Sequence, residues 1–282
     1  MTEHSALRRA LTRSAVGVLA VSGCLALAIA PVQAATAAAS PVRTIVGGAP
    51  ASEKYPFMAS IPLTAPLAGL IDGGCGGVLI DPEWVVTAAH CVDGEIGSFL
   101  EGTVRIGSDK RSSGGAVRDV VQVFSHPDYA QGQPNQNDIA LIRLDRPVKK
   151  TPISIADHAA DPGSPTRILG FGLTAPEKDV SKWKMSEKLR QLSTHRGSTA
   201  DCDPGYAGDT RLCTVSDKAG AMACNGDSGG PQIQRGRAGR WELIGVTSGP
   251  GADSPSCEKG PGLYTDVTAY REWINQTIAA TK

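Results

Sequence analysis

The sequence predicts an all-β protein: a sandwich or barrel of many short strands, followed by one C-terminal helix. Three observations carry that class. Short β-rich runs recur between Gly, Pro and Asp punctuation, in a chain with 33 Gly and 19 Pro among 282 residues. No strand–helix alternation of the βαβ kind and no internal repeat interrupts them. Only the C-terminus carries a strong 3.6-residue apolar period.

The elements follow in chain order. Strand candidates are residues 76–80, 84–88, 102–106, 116–124, 139–144, 166–171, 211–215, 231–234, 241–247 and 263–267. Near the end, Val267, Tyr270, Trp273, Ile274 and Ile278 share one helical face, with Arg271, Glu272 and Gln276 elsewhere. That stripe is core packing, not a ligand site.

The N-terminus reads as a targeting segment. Arg8, Arg9 and Arg13 form a positive region, residues 14–30 are apolar, and Val32-Gln33-Ala34 is a small-residue cleavage signal. Residues 1–34 are therefore expected to be a signal peptide, and the mature protein is expected to be secreted, with no membrane association after signal removal. Arg8-Arg9 is a poor twin-arginine signal. Val21-Ser22-Gly23-Cys24 resembles a lipoprotein box, but Cys24 lies inside the apolar run rather than at its end. Residues 35–44 read as a short, unstructured propeptide.

Composition narrows the function. Hydrophobic content of 41% and charged content of 20% are those of an ordinary globular protein. Without residues 1–44 the chain keeps 24 basic and 27 acidic side chains, a net charge of about −3. No basic stripe supports nucleic-acid binding, and no repeat supports a scaffold or adhesin. Seven cysteines are present. Cys24 leaves with the signal; Cys75, Cys91, Cys202, Cys213, Cys224 and Cys257 form an even set, expected to be disulfide-bonded in an oxidising compartment. Sequence alone allows fifteen pairings of six cysteines. No Cys-x-x-Cys pair exists and there are five His, so neither a metal nor another cofactor is expected.

The most informative stretch is Gly226-Asp227-Ser228-Gly229-Gly230-Pro231. Its glycines allow positive φ and close approach of a substrate. A Ser hydroxyl is a poor nucleophile unless a base takes its proton. Thr87-Ala88-Ala89-His90-Cys91 supplies a histidine and Asn137-Asp138-Ile139-Ala140-Leu141 an aspartate. Taken alone, each stretch reads as a loop, a core histidine or a turn feeding a strand. Together, in the order His, Asp, Ser with gaps of 48 and 90 residues (138 − 90 and 228 − 138), they closely resemble the chymotrypsin/trypsin family of serine proteases. Ile45-Val46-Gly47-Gly48 adds a fourth match, resembling the N-terminus freed when such zymogens are cut. The resemblance covers nearly all of residues 45–282, and the style of the chain is that of secreted actinobacterial proteases.

That resemblance implies two antiparallel Greek-key β-barrels with the active site in the cleft between them, divided near residues 148–165, where Pro152, Pro162 and Pro165 fall. It implies a serine endopeptidase with His90, Asp138 and Ser228 as the triad and the N–H groups of Gly226 and Ser228 as the oxyanion hole. It implies the pairs Cys75–Cys91, Cys202–Cys213 and Cys224–Cys257. It makes Ile45 and Asp227 an activation pair, the new ammonium meeting the carboxylate. Substrate-pocket positions are Met222, Ser248, Pro250 and Gly262. Met222 stands where trypsins carry Asp, so the expected preference before the scissile bond is apolar rather than Arg or Lys, unless Asp253 or Glu258 folds into the pocket. Implied partners are protein or peptide substrates and protein protease inhibitors, with the enzyme a monomer. The competing class is a non-catalytic binding homologue on the same fold, but no triad residue is missing.

Overall fold

The computed structural model describes residues 45–65, 71–253 and 256–281. The expected signal peptide and propeptide lie outside the described residues. After the two-residue strand β1 (Ala49–Pro50), six strands close into a barrel: β2 (Met58–Ala65), β3 (Ile71–Asp81), β4 (Trp84–Thr87), β5 (Thr103–Ile106), β6 (Ala116–Ser125) and β7 (Ala140–Leu144). Their spatial order is β2-β3-β4-β7-β6-β5, with β5 returning to pair with β2. The pairing of β4 with β7 and of β5 with β2, all antiparallel, is a Greek-key arrangement.

A second ring follows. The two-residue strand β8 (Ser154–Ile155) comes first, then β9 (Pro165–Gly170), β10 (Arg190–Arg196), β11 (Arg211–Val215), β12 (Pro231–Arg235), β13 (Trp241–Pro250) and β14 (Gly262–Asp266). The order β10-β11-β14-β13-β12-β9 closes because β9 also pairs with β10. Outside the ring, β1 adds to β10, and β8 runs parallel to β13. Closure leaves neither barrel a long exposed edge.

Alternation drives both barrels. In β9 the burial pattern puts Thr166, Ile168 and Gly170 inward, and in β5 it puts Val104 and Ile106 inward. Two strands are hard to read in the sequence. β2 contains Pro62, which lacks an N–H. It is tolerated because the regular pairing of β2 with β5 covers only Ala59 and Ser60, and beyond it Pro62 takes part through its carbonyl, which accepts the Glu101 N–H at 3.3 Å. β10 turns Arg190, Leu192 and Thr194 inward, so its buried face does not look apolar.

A turn at Val267–Tyr270 leads into helix α1 (Arg271–Ala280). Val267, Tyr270 and Ile274 are buried and Trp273 and Ile278 pack against the core, the face that the apolar period predicts. Arg271 ties the helix to the inter-barrel segment by donating to the carbonyls of Ile155 and Ala156 at 2.9 and 2.8 Å. Among the described residues no helix is long and apolar enough to cross a membrane. Three disulfides join Cys75 to Cys91, Cys202 to Cys213 and Cys224 to Cys257.

The barrels meet backbone to backbone. The Gly76 N–H of β3 donates to the Ser228 carbonyl at 2.7 Å. A Cβ on Gly76 would stand 2.7 Å from the Gly230 Cα. Glycine is required here for close approach rather than flexibility. Gly76→Ala is expected to push the second-barrel loop away, costing about 1–3 kcal/mol of stability in urea unfolding, with a further loss of any activity that depends on Ser228. An alanine variant as stable and as active as the parent would contradict this packing.

Candidate active site

His90 lies on the single turn Ala89–Cys91 directly after β4, and the Cys75–Cys91 disulfide ties that turn to β3. Asp138 lies two residues before β7. Ser228 lies in the loop before β12. His90 and Asp138 thus come from the first barrel and Ser228 from the second, in a loop that touches the first barrel: Gly76 N–H donates to the Ser228 carbonyl, and a Cβ on Gly229 would stand 3.0 Å from the Ala88 nitrogen.

The Asp138 carboxylate is 1% exposed and organises this junction. Its Oδ2 lies 2.7 Å from His90 Nδ1, and its Oδ1 accepts the His90 backbone N–H at 2.9 Å. Ser248 Oγ donates to Oδ2 at 2.6 Å and Asn135 Nδ2 at 3.1 Å. From β14, Thr265 Oγ1 donates to the Asp138 carbonyl at 2.8 Å. Burial pushes the carboxyl up, but the bonds from His90 and Ser248 outweigh it and hold the group below the usual carboxylate range. The acceptor therefore stays ionised at neutral pH, and the proton on the shared ring nitrogen belongs to His90 Nδ1. With Nδ1 turned to the carboxylate, Nε2 is the ring nitrogen not engaged by Asp138.

Ser228 is half-buried and lines a cleft pocket of about 280 Å³. Its hydroxyl makes no hydrogen bond to His90 among the described residues. The loop before it is held in an unusual shape: Gly226 has φ +87°, and a side chain there would meet Met185 Sδ at 2.3 Å. In this shape the N–H groups of Gly226 and Ser228 have no acceptor among the described residues, whereas the intervening Asp227 N–H bonds the Cys224 carbonyl at 2.9 Å. Two backbone donors on either side of Asp227 are thus unused among the described residues, one of them on Ser228, which lines the pocket.

Met222, Pro250 and Gly262 line the same pocket as Ser228. Met222 is 4% exposed, and a Cβ on Gly262 would sit 3.0 Å from its sulfur, so glycine there makes room for the thioether. Among the described residues no carboxylate lines this pocket; its one charged lining side chain is Lys259. Ser248, besides bonding Asp138, lines a neighbouring pocket of about 430 Å³, and Asp253 lines that one too. Of the two carboxylates that the sequence offers to the Met222 pocket, Asp253 therefore lines the neighbouring pocket and Glu258 lines neither. Asn135, Thr265 and Lys259 carry no motif that marks them in the sequence. Cys75, His90 and Cys91 lie close enough to suggest a metal site, but their two sulfurs are bonded to each other.

Ile45 is fully buried beside Ala221 and Met222, and the following segment is held there. The Met222 N–H donates to the Val46 carbonyl at 3.0 Å, and Lys218 Nζ to the Gly47 carbonyl at 2.5 Å. Asp227 is 1% exposed. Its carboxylate accepts the N–H groups of Gly172 (2.8 Å) and Cys224 (2.9 Å) and has no cationic partner among the described residues. The socket around it depends on Gly170 and Gly172, since a Cβ on either would stand 1.9–2.5 Å from its carboxyl atoms. Burial pushes this carboxyl up to about 7, against the two amides that favour its charged form.

Comparison with known proteins places this geometry. The trypsin family matches residues 45–274. Ovochymase of Halocynthia roretzi is 32% identical over 222 residues, 72% of this chain and 13% of that protein. Phenoloxidase-activating enzyme 1 of Spodoptera litura is 31% identical over 258 residues, 81% of this chain and 65% of that protein. The chain therefore spans less than two thirds of either relative. The solved structure of neuropsin, described as a serine protease expressed in the limbic system of mouse brain, is 31% identical with a TM-score of 0.63, covering 79% of this chain and 94% of that one.

The Asp227 carboxyl generates a pH prediction. Unfolded, it titrates near 3.8; folded in the uncut chain, near 7. Between those values the folded chain holds a proton that the unfolded chain has lost, so stability falls as pH rises, by a few kcal/mol in all. Thermal melting of the uncut chain across this window should show that decline, and Asp227→Asn should remove this part of it. Equal pH dependence in the two proteins would contradict the assignment.

Proposed function

The chain belongs to the trypsin family of serine proteases, and from that premise we propose that its mature form is a secreted endopeptidase acting through Ser228, His90 and Asp138. The observation that carries the reading is the buried Asp138 carboxylate, bonded to His90 Nδ1 at 2.7 Å beside the pocket that Ser228 lines. A carboxylate so placed orients the imidazole and stabilises its protonated form during turnover.

In this mechanism Ser228 Oγ attacks the carbonyl carbon of a peptide bond while His90 Nε2 takes the hydroxyl proton. The resulting oxyanion receives the N–H groups of Gly226 and Ser228. Losing one such donor typically costs about 10²–10³ in rate. His90 then passes its proton to the leaving amine, the C–N bond breaks, and an acyl-enzyme remains on Ser228. Water, deprotonated by His90, attacks that ester, and the proton returns to Ser228 as the acid product leaves.

The residue before the scissile bond enters the pocket floored by Met222. A thioether offers no charge to Arg or Lys, and Lys259 at the pocket repels them, so medium-sized apolar side chains are preferred. Activation follows from Asp227. Cutting before Ile45 creates an ammonium, and pairing with it removes the penalty of a lone buried carboxylate, which for a stranded partner is about 3–5 kcal/mol. Removal of residues 1–34 as a signal peptide and 35–44 as a propeptide belongs to the same reading, as does disulfide formation outside the cell.

Ser228→Ala should lower peptide hydrolysis by the mature chain about 10⁴–10⁶-fold, since the three residues act as a unit; casein cleaved at the parental rate would sink the assignment. Met222→Asp is expected to shift a peptide-library profile from apolar residues toward Lys and Arg before the cut. A parental profile already dominated by Lys and Arg would reject the proposed pocket.

A further inference from the structure

We propose that the second cleft pocket, beside the one floored by Met222, captures a basic side chain of the substrate on the Asp253 carboxylate. This rests on the endopeptidase reading above and specifies the peptides that the site selects: an apolar residue at the cut and a Lys or Arg upstream of it.

The two pockets are contiguous. Both are lined by Gln133, Gly249 and Pro250, the last two from the end of β13. β12 covers β13 only as far as Val246, so residues 248–250 keep one edge turned away from that partner, while Gly249 and Pro250 pair with β14 on the other. An extended peptide laid along such an edge is a strand-addition complex, advancing about 3.3 Å per residue. A peptide whose apolar residue fills the first pocket therefore offers the second pocket a side chain one to three positions upstream. Pro250 contributes no N–H, which gives the edge one backbone donor fewer and shifts upstream recognition toward side chains.

The chemistry of the second pocket suits a cation. Tyr206, Leu263, Pro250 and Ala252 give it apolar and aromatic walls, and Asp253 is its only charged lining residue among those described. Asp253 is exposed and its carboxylate has no partner among the described residues. Its backbone N–H donates to Asp203 Oδ2 at 2.7 Å, so a second, half-buried carboxylate lies directly behind it. The nearby Arg211 guanidinium does not neutralise them: it donates to the Gly205 and Asn135 carbonyls, at 2.9 and 3.3 Å. A Lys or Arg suits this combination, its methylene stem lying on the Tyr206 and Pro250 surfaces and its head meeting the carboxylate. The two pockets carry opposite charges, Lys259 in the first and Asp253 in the second, so one basic residue is steered away from the cut and toward the upstream position.

The test uses the mature enzyme and fluorogenic peptides that share one apolar residue before the cut and carry Lys, Ala or Glu at each of the three upstream positions. At low ionic strength the best Lys peptide should exceed its Ala counterpart about 1.4- to fivefold in kcat/KM, the range for an exposed charge pair, and its Glu counterpart by more, and salt should narrow the gap. Asp253→Asn should bring the ratio close to one, and Asp253→Lys should invert it. Binding of labelled peptides to the Ser228→Ala protein, read by fluorescence anisotropy, should show the same order without turnover. If no peptide is hydrolysed but the Lys peptide still binds more tightly, the endopeptidase reading fails and the pocket assignment stands. Equal rates and equal binding for Lys and Glu peptides, or a preference untouched by Asp253→Asn, overturn it.

Discussion

A buried carboxylate that meets no cation among the described residues is the constraint on which the site depends. Asp227 sits between Gly226 and Ser228, whose backbone N–H groups have no acceptor among the described residues, so the position of its side chain bears on the shape of the loop that carries both. Its socket is made from Gly170 and Gly172 on one side and the Cys224 turn on the other. Two amides satisfy its oxygens but do not balance its charge, and burial leaves its carboxyl at about 7. The chain therefore holds the site loop around a buried carboxyl whose charge no cation balances among the described residues. A free amine at Ile45, a residue already buried next to Ala221 and Met222, supplies the missing charge in the proposed mature form.

The second constraint is Asp138, which belongs to the first barrel but takes bonds from both. His90 and Asn135 reach it from the first barrel, and Ser248 and Thr265 from β13 and β14 of the second. The carboxylate is thus both an electrostatic partner of His90 and a cross-link at the barrel junction. The backbone approach of Gly76 to Gly230 acts on the same junction. Barrel packing and site geometry are consequently one problem: a change that separates the barrels also separates His90 from the Ser228 loop.

Much of this was legible in the sequence, for reasons that differ by residue. Strands with alternating or continuous apolar runs, such as β4 and β7, announce themselves. β2 and β10 do not, because one holds a proline and the other buries an arginine. The three motifs name His90, Asp138 and Ser228 through local chemistry. Asn135 and Thr265 are invisible in the same way that most supporting groups are: their partner lies in tertiary space, and nothing nearby distinguishes them from other turn or strand residues. Asp253 shows the limit most clearly. The sequence leaves open whether its loop folds into the Met222 pocket, and only the fold, by lining the neighbouring pocket with Asp253 and the first with Lys259, places it.

The most direct measurement is N-terminal sequencing of the molecules that a serine-reactive phosphonate labels on Ser228. Arg43 is followed by Thr44 and only then by Ile45, so a cut after Arg43 leaves the chain one residue too long. That extra residue adds about 3.3–3.6 Å of extended backbone, more than the roughly 3 Å reach of an ammonium–carboxylate hydrogen bond. The account predicts Ile45 as the first residue of the labelled fraction. A labelled fraction that begins at Thr44 or Ala35, or an uncut chain labelled at the same rate, would contradict it.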